Sequence, residues 1–274
     1  MPDKTLTQEA IIRDYNRMSP DDRFAFRCDQ SLECFNRCCS DVAIVLTPYD
    51  VLRMRRALRM ESGEFLEQYT QSPFTKDQKF PAVLLKMEAA TRRCPFVTEA
   101  GCTIYPNRPW ACRMYPLGSA EPRNPNETDR AFHFLVHEEI CRGHGRGEGC
   151  TVREWSSAQG IDEYEMMGAS FRDLMLHPFW DSEEQLSPPM MDMYYMACFD
   201  LDRFRRFVFE SRFLDVFDVD AARVEALRTD DEELLTFAMQ WLRFSLFHER
   251  TMRVRKSVAE ARRPAGRPRE ETAP

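Results

Sequence analysis

The chain has 274 residues, a hydrophobic fraction of 43% and a formal net charge of −7 at pH 7. This length suits one large domain or two small ones, and no segment approaches the ~20 apolar residues that a membrane-spanning helix needs. The acidic body would repel phosphate, so we expect neither a nucleic-acid partner nor a membrane. The basic stretch 249–274, with eight Lys or Arg against four Glu, is typical of a solvated tail.

The first half of the chain predicts short elements. The apolar, β-branched run 42–47 indicates a strand. Thr47 followed by Pro48 indicates the start of a helix that extends to residue 60, because threonine caps helices and proline suits their first turn. The other elements predicted here are a helix over 62–71, a strand over 80–87, a hairpin over 94–105, a short helix carrying Cys112, a polar loop over 118–130 and a strand over 131–140.

The second half predicts helices. Thr151 and Glu154 form a capping box in front of a helix over 152–159, and apolar residues at spacings of three and four indicate a buried stripe that includes Cys198. Further helices are predicted over 163–177, over 188–213, after a cap at Asp218 or Asp220, and over 230–260. The sequence therefore predicts a helix-dominated α+β fold, with an irregular cysteine-rich metal domain with short strands over 1–160, an all-α region over 161–260 and a disordered basic tail over 261–274.

Ten cysteines are the most informative feature. Eight fall into a pattern, namely Cys28, Cys34, Cys38 and Cys39, then Cys94, Cys102 and Cys112, then Cys141. Adjacent side chains in extended chain point to opposite faces. Cys38 and Cys39 therefore serve two metal sites, or distant corners of one cluster, more easily than one mononuclear site.

Metal binding competes with disulfide formation as the explanation of these thiols. Disulfide frameworks belong mainly to small secreted proteins, whereas the run MPDKTLTQEAIIRDYNRM has neither the apolar segment nor the cleavage site of a signal peptide. A chain of this size can also bury a core without covalent links. We therefore expect a cytoplasmic protein whose eight patterned cysteines bind metal.

The identity of the metal stays open between iron–sulfur clusters and zinc. By count, eight thiols suit two zinc ions or two four-iron clusters. The paired C-x2-C knuckles typical of zinc fingers do not occur, and the wide, irregular spacing favours clusters.

These motifs resemble the YkgJ-type cysteine-cluster family, described as a zinc- or iron-chelating domain. The matching features are the Cys38–Cys39 pair, Cys94-Pro95-Phe96, Cys102-Thr103-Ile104-Tyr105, Arg108-Pro109, Cys112-Arg113 and Cys141 before Gly143. The resemblance covers about residues 24–160 and implies that the eight cysteines are the ligands. Five residues separate Cys28 from Cys34, where the family has two, and His144 and Cys150 lie outside the family pattern.

The resemblance also extends to flagellin lysine N-methylase, a bacterial enzyme with a related cysteine pattern that carries an iron–sulfur cluster. The main hypothesis is a metal-binding protein with a redox or metal-handling role. The alternatives are a metal-dependent protein-modifying enzyme similar to the methylase and a structural zinc module for protein interaction. No glycine-rich G-x-G-x-x-G motif follows a predicted strand, so the sequence offers no independent methyl-donor site. No nucleophile–base arrangement, phosphate loop or carboxylate pair stands out either, and no catalytic residue is assigned. The expected partner or substrate is a protein.

Overall fold

The computed structural model describes residues 16–72, 79–120, 131–182 and 184–261. About 49% of the chain is helical and 16% is strand, and the short strands form small sheets. This confirms the helix-dominated α+β prediction. The chain divides into two compact units, Met1–Leu186 and Ser187–Pro274. The helix that begins at Ile161 therefore belongs to the first unit, although the predicted all-α region begins at residue 161. Within the described ranges, no helix is long and apolar enough to cross a membrane.

The first unit is built from short strands and five α-helices within its described ranges. The strands are β1 (Arg23–Phe26), β2 (Val45–Leu46), β3 (Thr70–Gln71), β4 (Val83–Leu85), β5 (Val97–Thr98), β6 (Gly101–Cys102), β7 (Leu117–Ala120), β8 (Phe132–Leu135) and β9 (His144–Thr151). The helices are α1 (Pro48–Leu58), α2 (Ser62–Tyr69), α3 (Trp110–Met114), α4 (Val152–Ala158) and α5 (Ile161–Met175). Three 3-10 turns complete the set, Arg37–Cys39, Tyr105–Asn107 and Pro178–Asp181.

All strand pairs in this unit are antiparallel. Strand β4 lies between β2 and β3, while β5 pairs with β6, β7 with β8, and β1 with β9. The β1–β9 pair joins positions far apart in the chain, since Phe24 faces Cys150 and Phe26 faces His144. The two phenylalanines enter a buried cluster with Met114, Leu117, Val152 and Ile161. This core fixes the ends of the strands from which the cysteine-bearing loops leave.

Two predicted elements differ from the structure in this unit. The loop predicted over 118–130 begins with strand β7, and residues 121–130 lie outside the described residues. The strand predicted over 131–140 is limited to β8, and the turn that follows it delivers Cys141. Strand β9 was not predicted, because its sequence HGRGEGCT is rich in glycine, which has low strand propensity.

The start of α1 is fixed by Asp50, a carboxylate that is only 1% exposed. Its oxygens accept hydrogen bonds from the backbone N–H and the hydroxyl of Thr47, each at 2.8 Å, and the Thr47 oxygen accepts the Asp50 N–H at 3.1 Å. This is the capping box at the predicted position. Asp50 also accepts the Trp110 N–H at 2.7 Å, so one side chain holds the first turns of both α1 and α3.

The second unit is helical throughout its described part. It contains α6 (Pro188–Phe199), α7 (Leu201–Glu210), α8 (Phe213–Val216), α9 (Ala221–Thr229), α10 (Asp231–Phe247) and α11 (Lys256–Ala261). Fully buried Tyr194, Cys198, Phe204 and Leu242 contribute to its core, which confirms Cys198 as a buried apolar residue. Residues 262–274, most of the predicted tail, lie outside the described residues.

Both long helices predicted in this unit are interrupted. Asp200 ends α6, and its side chain caps α7 by accepting the Arg203 N–H at 3.3 Å. His248 adopts the left-handed conformation with φ of 57° and ends α10. Aspartate favours helix starts and histidine is among the residues that tolerate this φ. The apolar stripe continues through both breaks, so periodicity alone predicted single helices.

We predict that Asp50→Ala destabilises the protein by about 2–3 kcal/mol, because the partly buried N–H groups of Thr47 and Trp110 lose their acceptor. The matched control is Asp21→Ala, which removes an aspartate that is 81% exposed and pairs with Arg153 at the surface; we expect a cost of about 0.5 kcal/mol or less. Urea unfolding of the full chain measures both values. Equal costs for the two variants would contradict the anchoring role of Asp50.

Candidate metal centre

Four thiols form one set, which we call the first thiol group: Cys28, Cys34, Cys38 and Cys141. All four line a single cavity of about 10 Å³, about the space of one water molecule. Two hydrogen bonds from backbone N–H groups join the segment around Cys28 and Cys34 to the segment around Cys141. Arg27 donates its N–H to the Gly143 carbonyl at 3.2 Å, and Arg142 donates its N–H to the Cys34 sulfur, also at 3.2 Å. The β1–β9 pairing thus places Cys141 beside the N-terminal cysteines.

The thiols of this group affect one another electrostatically. Burial, followed by the neighbouring thiols of Cys38, Cys34 and Cys141, raises the pKa of Cys28 to about 11. Cys34 is buried, whereas Cys28 is exposed at the rim. Because thiolates of like charge repel, this group can become fully ionised only when a cation lies among the sulfurs.

The remaining four patterned thiols form the second thiol group: Cys39, Cys94, Cys102 and Cys112. Cys94 donates its N–H to the Cys39 carbonyl at 2.8 Å. The β5–β6 hairpin places Cys102 opposite Val97, and α3 carries Cys112. The Asn36 side chain donates to the Thr98 carbonyl at 2.8 Å and so ties the turn before Cys38 to this hairpin.

The thiols of the second group also affect one another electrostatically. Burial, Cys94, Asp50 and Cys102 raise the pKa of Cys112 to about 12. The pKa of Cys39 is raised by its hydrogen bond with Cys38, by burial and by the thiols of Cys38, Cys112 and Cys94. Every member therefore has at least one other member as an electrostatic neighbour.

The adjacent pair Cys38–Cys39 is the point at which the two groups meet. The two side chains share a hydrogen bond, which lowers the pKa of Cys38 and raises that of Cys39. Cys38 lines the cavity of the first group, while Cys39 interacts with Cys112 and Cys94. The structure therefore distributes the eight thiols four and four.

Backbone N–H groups are directed at several of these sulfurs. The N–H of Phe96 bonds the thiol of Cys94, that of Ile104 bonds Cys102, and that of Gly143 approaches the Cys141 sulfur at 3.5 Å. In each case the donor lies two residues after the cysteine. Such bonds stabilise a thiolate and orient its lone pairs, which is the usual support of metal ligands.

Two buried arginines organise the second group. Arg108 lowers the pKa of both Cys102 and Cys112 against the larger effect of burial, and its guanidinium lies 3.7 Å from the centre of the Tyr105 ring. Arg113 instead donates to the backbone carbonyls of Arg108, at 3.1 Å, and of Gln159, at 2.6 Å. Arg108 supplies positive charge to the thiols, whereas Arg113 holds the loop that presents them.

The other candidate groups lie outside both sets. The thiol of Cys150 has Glu154 and Arg23 as its charged neighbours, and Cys198 is buried in the second unit. The His144 ring stacks on that of His137, with 4.2 Å between the ring centres. The Val136 carbonyl accepts a hydrogen bond from the His144 side chain. The Nε2 atom of His144 has no hydrogen-bond partner among the described residues.

The chemistry of the two donor sets fits a thiophilic metal, since both offer four sulfur atoms with supporting N–H donors. All ten cysteines are free thiols. Nevertheless, within the described ranges no three His, Cys, Asp or Glu side chains already stand in an arrangement that could hold a metal ion. The sulfurs are neighbours rather than a closed coordination shell, so binding would require them to turn toward a common centre.

Comparison with known proteins identifies this region. Residues 27–142 match the family model CxxCxxCC, described as "Putative zinc- or iron-chelating domain". The matched segment covers 116 of the 274 residues. The match begins beside Cys28 and ends beside Cys141, so it spans all eight patterned cysteines and confirms the family resemblance. No curated protein and no solved structure matches the chain.

Several residues that support the site were not predicted. The sequence indicates Asp50 only as an acid in the first turn of α1. Its hydrogen bond to α3 joins two residues that lie sixty positions apart in the chain. Tyr115 and Glu138 lie beside Cys141 and Cys38, although no motif includes them. For Glu138, its position three residues before Cys141 is the one sequence signal that could have indicated its contact with the thiols.

Proposed function

We propose that this protein binds metal at two separate sites, one in each thiol group, with cysteine thiolates as the principal ligands. The bound species is an iron–sulfur cluster or zinc, and the role is redox chemistry or metal handling in the cytoplasm. The observation that carries the proposal is the four-and-four distribution of the thiols, divided at Cys38–Cys39. The CxxCxxCC family description supports chelation of zinc or iron.

Each structural feature of the groups contributes to this function. The N–H donors and Arg108 offset the negative charge of ionised thiols. When bound, the metal supplies the positive charge that the clustered sulfurs need and links segments separated by more than a hundred positions. Since these segments contain strands of only two residues, metal binding would add to their stability.

A metal-dependent protein-modifying enzyme is the second candidate. Such an enzyme needs a substrate site, and the first unit contains a cleft of about 320 Å³, a volume typical of ligand pockets, although none of its described lining residues is a cysteine. Its lining includes His133, Glu165 and Arg172. The third candidate, a structural zinc module for a protein partner, predicts a colourless protein with stoichiometric zinc.

Substitution of single cysteines tests the two-site proposal. We predict that Cys34→Ser and Cys102→Ser each remove about half of the metal bound by the anaerobically purified protein, because each removes one ligand from a different site. Cys150→Ser, in the same unit but outside both groups, and Cys198→Ala are the controls and should retain all of it.

Metal analysis and the visible spectrum give the readout for these variants. Iron and sulfide with broad absorbance near ~400 nm indicate clusters, whereas zinc alone indicates the colourless alternative. Loss of all metal from both Cys34→Ser and Cys102→Ser would contradict two independent sites. Loss from Cys150→Ser equal to that from Cys34→Ser would contradict the ligand assignment itself.

Metal affinity should also depend on pH over an unusually wide range. The pKa values of Cys28 and Cys112 are raised to about 11 and 12, mainly by burial, so both thiols are protonated near neutral pH and must lose a proton when they bind metal. We predict that zinc affinity continues to rise above pH 9, beyond the ordinary thiol pKa of about 8.5.

Zinc competition titrations between pH 7 and 10, with a pH indicator to count released protons, measure this dependence. Proton release should accompany binding throughout the range. An affinity that becomes constant at about pH 9, with no protons released above it, would show that the two thiols titrate normally and would contradict their raised pKa values.

A further inference from the structure

Glu138 has a carboxylate oxygen whose environment is unusual. The residue begins the turn that delivers Cys141, whose N–H donates to the Glu138 carbonyl at 3.0 Å. Its Oε2 atom is buried and has no hydrogen-bond partner among the described residues. Buried carboxylate oxygens normally accept a hydrogen bond or contact a cation, because water no longer solvates them.

The groups around this carboxylate are acidic as well and supply no positive charge to it. Glu138 is an electrostatic neighbour of the Cys38 thiol and of the Tyr115 hydroxyl. That hydroxyl lies beside the Cys141 sulfur, yet its oxygen too has no aligned partner in the described part of the chain. A carboxylate, a phenol and two thiols thus share one small region at the first thiol group.

The nearby arginines are engaged elsewhere. Arg142 directs its guanidinium to the Glu139 carbonyl at 2.8 Å, and Arg27 pairs with Asp29. The second thiol group differs in this respect, because Arg108 lies beside Cys102 and Cys112. Both thiol groups therefore have acids as charged neighbours, Asp29 and Glu138 at the first and Asp50 and Glu88 at the second, and Arg108 adds a base at the second.

We propose that Glu138 supplies an oxygen ligand, through Oε2, to the metal bound by the first thiol group. This proposal rests on the proposed function. A cation among the sulfurs of Cys34, Cys38 and Cys141 would also satisfy the unpaired carboxylate oxygen. The first site then has mixed sulfur and oxygen donors, whereas the second has sulfur alone. Because carboxylates suit harder ions than thiolates do, the two sites should differ in metal preference.

Glu138→Gln tests this assignment, because it removes the carboxylate charge and keeps the shape of the side chain. The matched control is Glu139→Gln, at an exposed neighbouring position. Co²⁺ and Cd²⁺ are titrated into the reduced, metal-free full chain against a chromophoric chelator. The affinities compared are those of the site that Cys34→Ser abolishes.

We expect Glu138→Gln to weaken Co²⁺ binding at least about tenfold and to shift the cobalt absorption bands. Cd²⁺, a softer ion that depends on sulfur, should lose less than about twofold, and Glu139→Gln should change neither. Equal weakening of both ions would assign Glu138 a structural role and overturn the proposal, as would an unchanged cobalt affinity. If the unsubstituted protein bound neither ion, the proposed function itself would fail together with this inference.

Discussion

The position of Cys38 next to Cys39 is the constraint on which the arrangement of the thiols depends. The prediction for this pair assumed extended chain, whereas the pair lies in the 3-10 turn Arg37–Cys39. With three residues per turn, consecutive side chains still diverge by about 120°, so the pair divides its neighbours between two centres. The first thiol group gathers at the end of the β1–β9 pair, and the second gathers around the β5–β6 hairpin and α3. A hydrogen bond between the two thiol side chains joins the groups at this point, and the Asn36 side chain adds a bond to the Thr98 carbonyl.

The first unit places these thiols with little regular structure in their immediate surroundings. Apart from β1, β9 and α3, the elements next to them are strands of two residues and single turns, while the apolar core lies around Phe24, Phe26 and Val152. Polar anchors bridge the two regions. Asp50 joins α1 to α3, and Arg113 holds the carbonyls of the loop before Cys112. The ligand-bearing segments therefore depend on a few buried hydrogen bonds and, in our proposal, on the metal.

The features predicted well from the sequence are those encoded over a few residues. The N-cap at Thr47 and the capping box at Thr151 occur as predicted, because a helix start depends on neighbours a few positions away. The family of the cysteine-rich segment followed from its motifs. The breaks at Asp200 and His248 were missed, since an apolar stripe persists across them and only the backbone conformation reveals the end of the helix.

The distribution of the thiols could not be predicted, because it depends on contacts between distant positions. Cys141 joins Cys28 through the pairing of β1 with β9, a strand whose glycine-rich sequence gave no strand signal. The unpaired oxygen of Glu138 likewise becomes visible only when its surroundings are known. Sequence spacing indicated the number of ligands, whereas the tertiary contacts indicate which ligands share a centre.

X-ray absorption spectroscopy of the anaerobically purified full chain, at the edges of iron and zinc, measures whether the patterned thiols bind metal. Thiolate ligation predicts a first shell dominated by sulfur at ~2.3 Å, with an additional short metal–metal distance if the species is an iron–sulfur cluster. A first shell made only of nitrogen and oxygen, or a protein that contains neither metal, would contradict thiolate binding by these cysteines.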